Sequence, residues 1–154
     1  MNLEFFERLY ADPEFCEALG RMTLAAGRFE SDLRAFLRLK GVNVSANEAT
    51  LGSLISRFEK HDLLSGNGVR VLRGLKFQRN YLTHSLFDLF SARIDETVLP
   101  RTDLVPMDVT LFTENACQLE ENLRGLSSIA ERRIAQLEDQ TSPRSGADAR
   151  LFRP

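Results

Sequence analysis

An all-α bundle of about four main helices is the fold this sequence predicts. Three observations predict it. Apolar residues recur at alternating three- and four-residue steps over several long stretches, which is the spacing of one helical stripe. A capping pair, Asp12-Pro13, stands ahead of the longest of these stretches. The connections are mostly short, which favours neighbouring helices in an up-down order. No internal repeat interrupts the plan.

The elements follow in order. Asn2 to Tyr10 reads as a short helix presenting Leu3, Phe6 and Leu9 or Tyr10. From Asp12-Pro13, the residues Phe15, Leu19, Met22, Ala26, Phe29, Leu33 and Phe36 form a continuous seam that ends at Gly41. Such a helix extends about 40 Å at about 1.5 Å per residue. The polar stretch Val42 to Ala49 is a loop. A second main helix spans Thr50 to about Leu63, with Leu51, Leu54, Ile55 and Phe58 inward. Ser65-Gly66-Asn67-Gly68 is turn chemistry, and the next helix runs from about Val69 to Phe90. Gly74 inside it marks a close helix contact, since glycine there costs about 1 kcal/mol relative to alanine. Ser91 to Pro106 breaks the periodicity and reads as an irregular loop or small hairpin, with Thr97-Val98-Leu99 as an extended piece. The last helix covers Asp108 to Leu137, with Phe112, Ala116, Leu119, Leu123, Leu126 and Ala130 as its stripe, widened by Ile129, Ile134 and Leu137.

Size and composition bound the functions. A chain of 154 residues suits one domain, here 1–139, followed by a disordered tail over 140–154 that contains Ser142-Pro143-Arg144-Ser145-Gly146. No apolar run approaches a membrane span, and Met1-Asn2-Leu3-Glu4 lacks the plan of a secretory signal. The expected compartment is therefore the cytoplasm, with Cys16 and Cys117 as buried free thiols. A net charge of −2 gives no global attraction to nucleic acid, so any such site is local. There is no metal-ligand spacing, phosphate loop or dinucleotide fingerprint, and no cofactor is implied. With only two histidines, no nucleophile triad can be assembled, and His61 reads as a surface residue.

The informative stretch is Arg79-Asn80-Tyr81-Leu82-Thr83-His84. Leu72, Leu75, Leu82, Leu86 and Leu89 make a stripe, and position 79 falls within it. A guanidinium keeps its proton, so in an apolar seam it must meet a carboxylate, reach water or bind an anion. Phe77, Asn80, Tyr81, His84 and Asp88 share a neighbouring face, and Asp88 stands one turn from His84. A regular α-helix separates Arg79 from His84 by about 140°. Arg70, Arg73, Lys76, Arg79 and Arg93 make the surroundings cationic, which suits phosphate or is simply a solvated face. The long apolar seams exceed what one small bundle covers, so a homodimer is expected.

Arg79-Asn80-x-Leu82-x-His84, late in an apolar helix of a small helical chain, resembles the HEPN superfamily. Its hallmark is an Arg, a short variable spacer and a His, commonly with a polar residue directly after the Arg. Phe29-Glu30-Ser31-Asp32-Leu33 on an early helix, Leu51-Gly52-Ser53-Leu54-Ile55 on a second, and a closing helix follow the same plan from about Asp12 to Leu137. The resemblance implies a metal-independent endoribonuclease acting as a toxin or in defence against invading genetic elements. Its substrate would be RNA, its form a homodimer, and an antitoxin or other protein a partner. Arg79 would bind the scissile phosphate, His84 would transfer protons, and Asn80 would hydrogen-bond the phosphate or position the catalytic pair. Arg73, Lys76 and Tyr81 would contact substrate. The products would be a 2′,3′-cyclic phosphate and a 5′-hydroxyl.

Some family toxins carry a modifiable Tyr two residues beyond the His, where this chain has Leu86. Glu30 resembles an acidic position of several branches; read from its own chemistry it is an ion-pair or capping residue. Two other readings stay open. One is a non-catalytic HEPN module binding RNA, a nucleotide or a protein. The other is a helical dimerisation protein with Arg79 in an intermolecular ion pair.

Overall fold

The structure is a computed structural model that describes residues 3–45, 50–86 and 108–141. Every regular element among them is helical, as the stripes require. These are α1 (Leu3–Ala11), α2 (Pro13–Leu39), α3 (Leu51–Lys60), α4 (Gly66–Asn80) continuing into a π-helical turn (Tyr81–Ser85), and α5 (Val109–Thr141). The insert from Ser91 to Pro106, the residues Asp88, Leu89 and Arg93, and the tail from 142 lie outside the described residues. Gln140 and Thr141, expected to open the tail, are the last residues of α5.

Local chemistry sets the helix starts. Asp12 Oδ1 accepts from the Phe15 N–H at 2.7 Å, with Pro13 beginning α2 where its missing N–H costs nothing. Thr50 Oγ1 accepts from the Ser53 N–H at 3.3 Å and caps α3. Ser65 corrects the turn expected over Ser65-Gly66-Asn67-Gly68. Its hydroxyl accepts from the Gly68 N–H at 3.2 Å, so α4 begins at Gly66 instead of Val69. The cap satisfies a first-turn donor and outweighs the low helix preference of two glycines. At the other end of α3, Asp62 takes a positive φ of 51°, which stops the helix before Leu63.

The core joins all five helices through residues such as Phe5, Met22, Leu54, Leu72 and Leu123. α2 and α5 form the main packed pair, and α3 packs on α4. Directions follow from named contacts. Glu30 reaches Leu51 and Phe36 stacks on Phe58, so α2 and α3 run in the same sense. Arg79 meets Glu30 beside the start of α3 while Arg73 pairs with Glu59 near its end, so α4 runs antiparallel to α3. Tyr81 stacks on Phe112 at the start of α5, so α4 and α5 are antiparallel too. Strict alternation therefore holds for α3, α4 and α5 but not between α2 and α3. Val42 and Val44, just beyond α2, are both buried, although this stretch reads as part of a polar loop.

Several seam assignments shift by a residue. α1 buries Phe5 and Leu9, while Leu3 and Tyr10 are exposed. The α5 seam passes through Ser127, and Ile129 is 48% exposed. Gly74 is no contact point, because a Cβ there would meet nothing within 4 Å. Both cysteines are exposed, correcting the expectation of buried thiols. Each follows a buried residue, Phe15 or Ala116, and one step of about 100° turns it off the seam. Cys16 instead donates its thiol to the Tyr10 carbonyl at 3.3 Å.

Candidate functional site

The π-helical turn is what builds the site. An i→i+5 repeat brings residues five apart nearly into line, where a regular α-helix would hold Arg79 and His84 about 140° apart. The Thr83 hydroxyl donates to the Arg79 carbonyl at 2.8 Å, supplying a donor at the carbonyl where the repeat widens. Leu82 and Leu86 stay buried on either side, so the wide turn costs the core nothing. Arg79, Asn80 and His84 consequently line one open groove of about 490 Å³, with Thr50, Gly52, Ser53 and Ser56 of the α3 start and Lys76 of α4. A regular helix would separate Arg79 from His84, yet the two flank one groove, an arrangement the sequence leaves open.

Arg79 solves the problem of its apolar surroundings with a carboxylate from its own chain. Its Nη2 donates to Glu30 Oε1 at 2.8 Å, and both side chains are less than a fifth exposed. The same Oε1 accepts from the Leu51 N–H at 3.1 Å. One carboxylate thus ties α2 to α4 and satisfies an orphan donor at the α3 N-terminus, where negative charge is favoured. Glu30 is both ion-pair and capping residue, as its chemistry suggests. Arg79 Nε is buried without a partner among the described residues.

The remaining groove residues are differently placed. His84 is exposed, and Asn80 and Lys76 are half-buried. A Cβ at Gly52 would stand 3.1 Å from Lys76 Nζ, so the lysine lies across this glycine and over the first turn of α3. Lys76 has no carboxylate partner among the described residues and gives the groove an uncompensated positive charge. Hydroxyls from Thr50, Ser53 and Ser56 complete the wall, and each donates locally: Thr50 to the Ser53 hydroxyl, Ser53 to the Thr50 carbonyl and Ser56 to the Gly52 carbonyl.

The other two candidates lie elsewhere. Arg73 is outside the groove, exposed and paired with Glu59. Tyr81 is on the far side of α4, stacked on Phe112 with ring centroids 6.4 Å apart. Burial raises its phenol pKa above the usual tyrosine value, so it remains a protonated hydrogen-bond donor at neutral pH. His61 is an exposed C-cap of α3, in keeping with its surface assignment.

Sequence reasoning missed the α3 contribution. Thr50-x-x-Ser53 carries a capping signal, but only the fold sets that helix start against Arg79. Among the described residues, no cluster of three or more His, Cys, Asp or Glu side chains could hold a metal, and no helix is long and apolar enough to cross a membrane. No protein-family model, curated protein or solved structure matches this chain.

Proposed function

We propose that this chain is a metal-independent endoribonuclease of HEPN type, with the groove between α3 and α4 as its reaction site. The observation that carries the reading is the π-helical turn, which sets Arg79, Asn80 and His84 on a single open groove beside Lys76. Wide turns of this kind occur frequently where a helix serves a site.

The chemistry follows from the groups present. His84 faces solvent, and its imidazole has one ring nitrogen that can take a proton and one that can give it. It takes the proton of a ribose 2′-hydroxyl as that oxygen attacks the adjacent phosphorus. The P–O bond to the following 5′-oxygen breaks, and that oxygen gains a proton from the solvent or from the imidazolium. A 2′,3′-cyclic phosphate and a 5′-hydroxyl result. Arg79 and Lys76 face the charge that builds on the phosphoryl oxygens, and Asn80 orients the phosphate through its amide. DNA lacks the nucleophile and is inert. Two-fold pairing of the chain would set two such grooves together, with an antitoxin or regulator as an additional partner.

The Glu30–Arg79 ion pair supports a second reading, in which Arg79 braces the bundle and the groove binds RNA, a nucleotide or a protein without cleaving. Cleavage in EDTA separates the two. Wild type is expected to yield cyclic-phosphate ends, and Arg79→Ala and His84→Ala to lose at least about 100-fold in rate. Equal activity in all three proteins points to a contaminant. RNA retention without cleavage by any of them establishes the non-catalytic module.

A further inference from the structure

A second concavity lies on the other side of α4 from the groove. Phe77, Gln78 and Tyr81 of α4 and its π-helical turn face Asn115, Gln118 and Asn122 of α5 across a slot of about 200 Å³. Its floor is apolar, formed by the buried Leu82 and Leu119. The Tyr81 ring is held against Phe112, and the Phe77 ring is 69% exposed. Among the described residues no charged side chain lines the slot; its polar groups are four carboxamides and the Tyr81 hydroxyl. Gln118 Nε2 donates to Asn122 Oδ1 at 3.3 Å, leaving the Gln118 carbonyl and the Asn122 amino group as one acceptor and one donor.

We propose that this slot binds one nucleobase of an RNA strand whose phosphate lies in the neighbouring groove. A flat ring stacks on an exposed aromatic side chain whatever its sequence, and its edge presents donors and acceptors that neutral amides match. The size suits a single base, being smaller than the roughly 300–1,000 Å³ of pockets that take drug-sized ligands. The position suits it as well. Phe77 and Asn80 are three residues apart on one helix, with Cβ atoms about 5–6 Å apart, so slot and groove are one turn from each other. One strand crossing α4 therefore sets a phosphate against Lys76 and Asn80 and an adjacent base on Phe77. This assignment rests on the RNA reading of the groove and deepens it, making single-stranded RNA the substrate form, since a base paired in a duplex cannot enter.

Binding without cleavage tests it. The probe is a mixed-sequence 2′-O-methyl oligonucleotide, which lacks the attacking hydroxyl, alongside the same backbone with abasic positions. Phe77→Ala in the full chain is expected to weaken binding of the base-bearing probe about tenfold while leaving the abasic probe and the melting temperature unchanged. Gln118→Ala is expected to weaken binding of the same probe and to change its base preference. Wild-type affinity in both variants overturns the proposal. So does a shift of Phe77→Ala from dimer to monomer, which would assign the ring to a second copy, and so does failure of wild type to bind the probe at all. Base-dependent binding by a wild type that never cleaves RNA upholds the slot and removes only the nuclease reading.

Discussion

Glu30 ties three helices together with one carboxylate oxygen. It joins α2 to α4 through Arg79 and to α3 through the Leu51 N–H. Removing it leaves a guanidinium and a helix-terminal donor without their shared acceptor. Fully buried pairs lose about 3–5 kcal/mol when broken, and this one retains some solvent contact, so Glu30→Ala should cost about 2 kcal/mol. Urea unfolding measures this, and an unchanged midpoint would show that Arg79 and Leu51 find other partners. Glu30→Gln should recover part of the loss, since its amide oxygen still accepts from Leu51. By contrast, the ion pairs of Arg73 with Glu59 and Arg28 with Glu131 are about half exposed or more and contribute little.

Two helices carry their own tests. The π-helical turn keeps Arg79 and His84 on one groove, and deleting Thr83 should restore an α-helical repeat in which the two stand four residues apart, again on one face. Leu82 and Leu86 would then be three residues apart, still a core spacing, so the fold should survive. On the nuclease reading, the expected result is a helical protein by circular dichroism that still cleaves RNA, because the pair stays on one face. Cleavage reduced as far as in His84→Ala would show that the wide turn itself governs the site. Gly74 offers the opposite case. It sits inside α4 with open space at its Cβ position, so Gly74→Ala should stabilise the protein by about 0.5–1 kcal/mol. A fall in melting temperature would mean that another surface packs there.

At the scale of the whole molecule, the first helix reaches the π-helical turn through a row of rings. Phe5 meets Phe112 with centroids 5.7 Å apart, and Phe112 meets Tyr81 at the head of the π-helical turn. Phe5 is 2% exposed, so Phe5→Ala should remove about 3–5 kcal/mol of stability. The loss should appear as one cooperative shift, because α1 shares its core with the other helices. A separate early transition of α1, with the main transition unmoved, would show the first helix to be an independent unit.

The sequence by itself determined the helical class, most of the seams of α2 and α3, the first half of the α5 seam and the cap at Asp12. Periodicity and short-range hydrogen bonding are local, so residues within one or two turns carry them. It also singled out Arg79, because a permanent charge inside an apolar stripe requires a partner. Periodicity could not choose the partner among three possibilities, and only the fold brings Glu30 from 49 residues away. Nor does the pattern of Leu82 and Leu86 distinguish an α-helical turn from a π-helical one, since both keep these leucines inward. That choice, made by packing on both sides and by the Thr83 hydroxyl, decides that Arg79 and His84 share a groove. Which side of α4 receives Lys76 and which receives Phe77 is likewise a tertiary matter. The faces are written in the sequence, but the helix start of α3 and the amides of α5 that meet them are placed by the packing of the bundle.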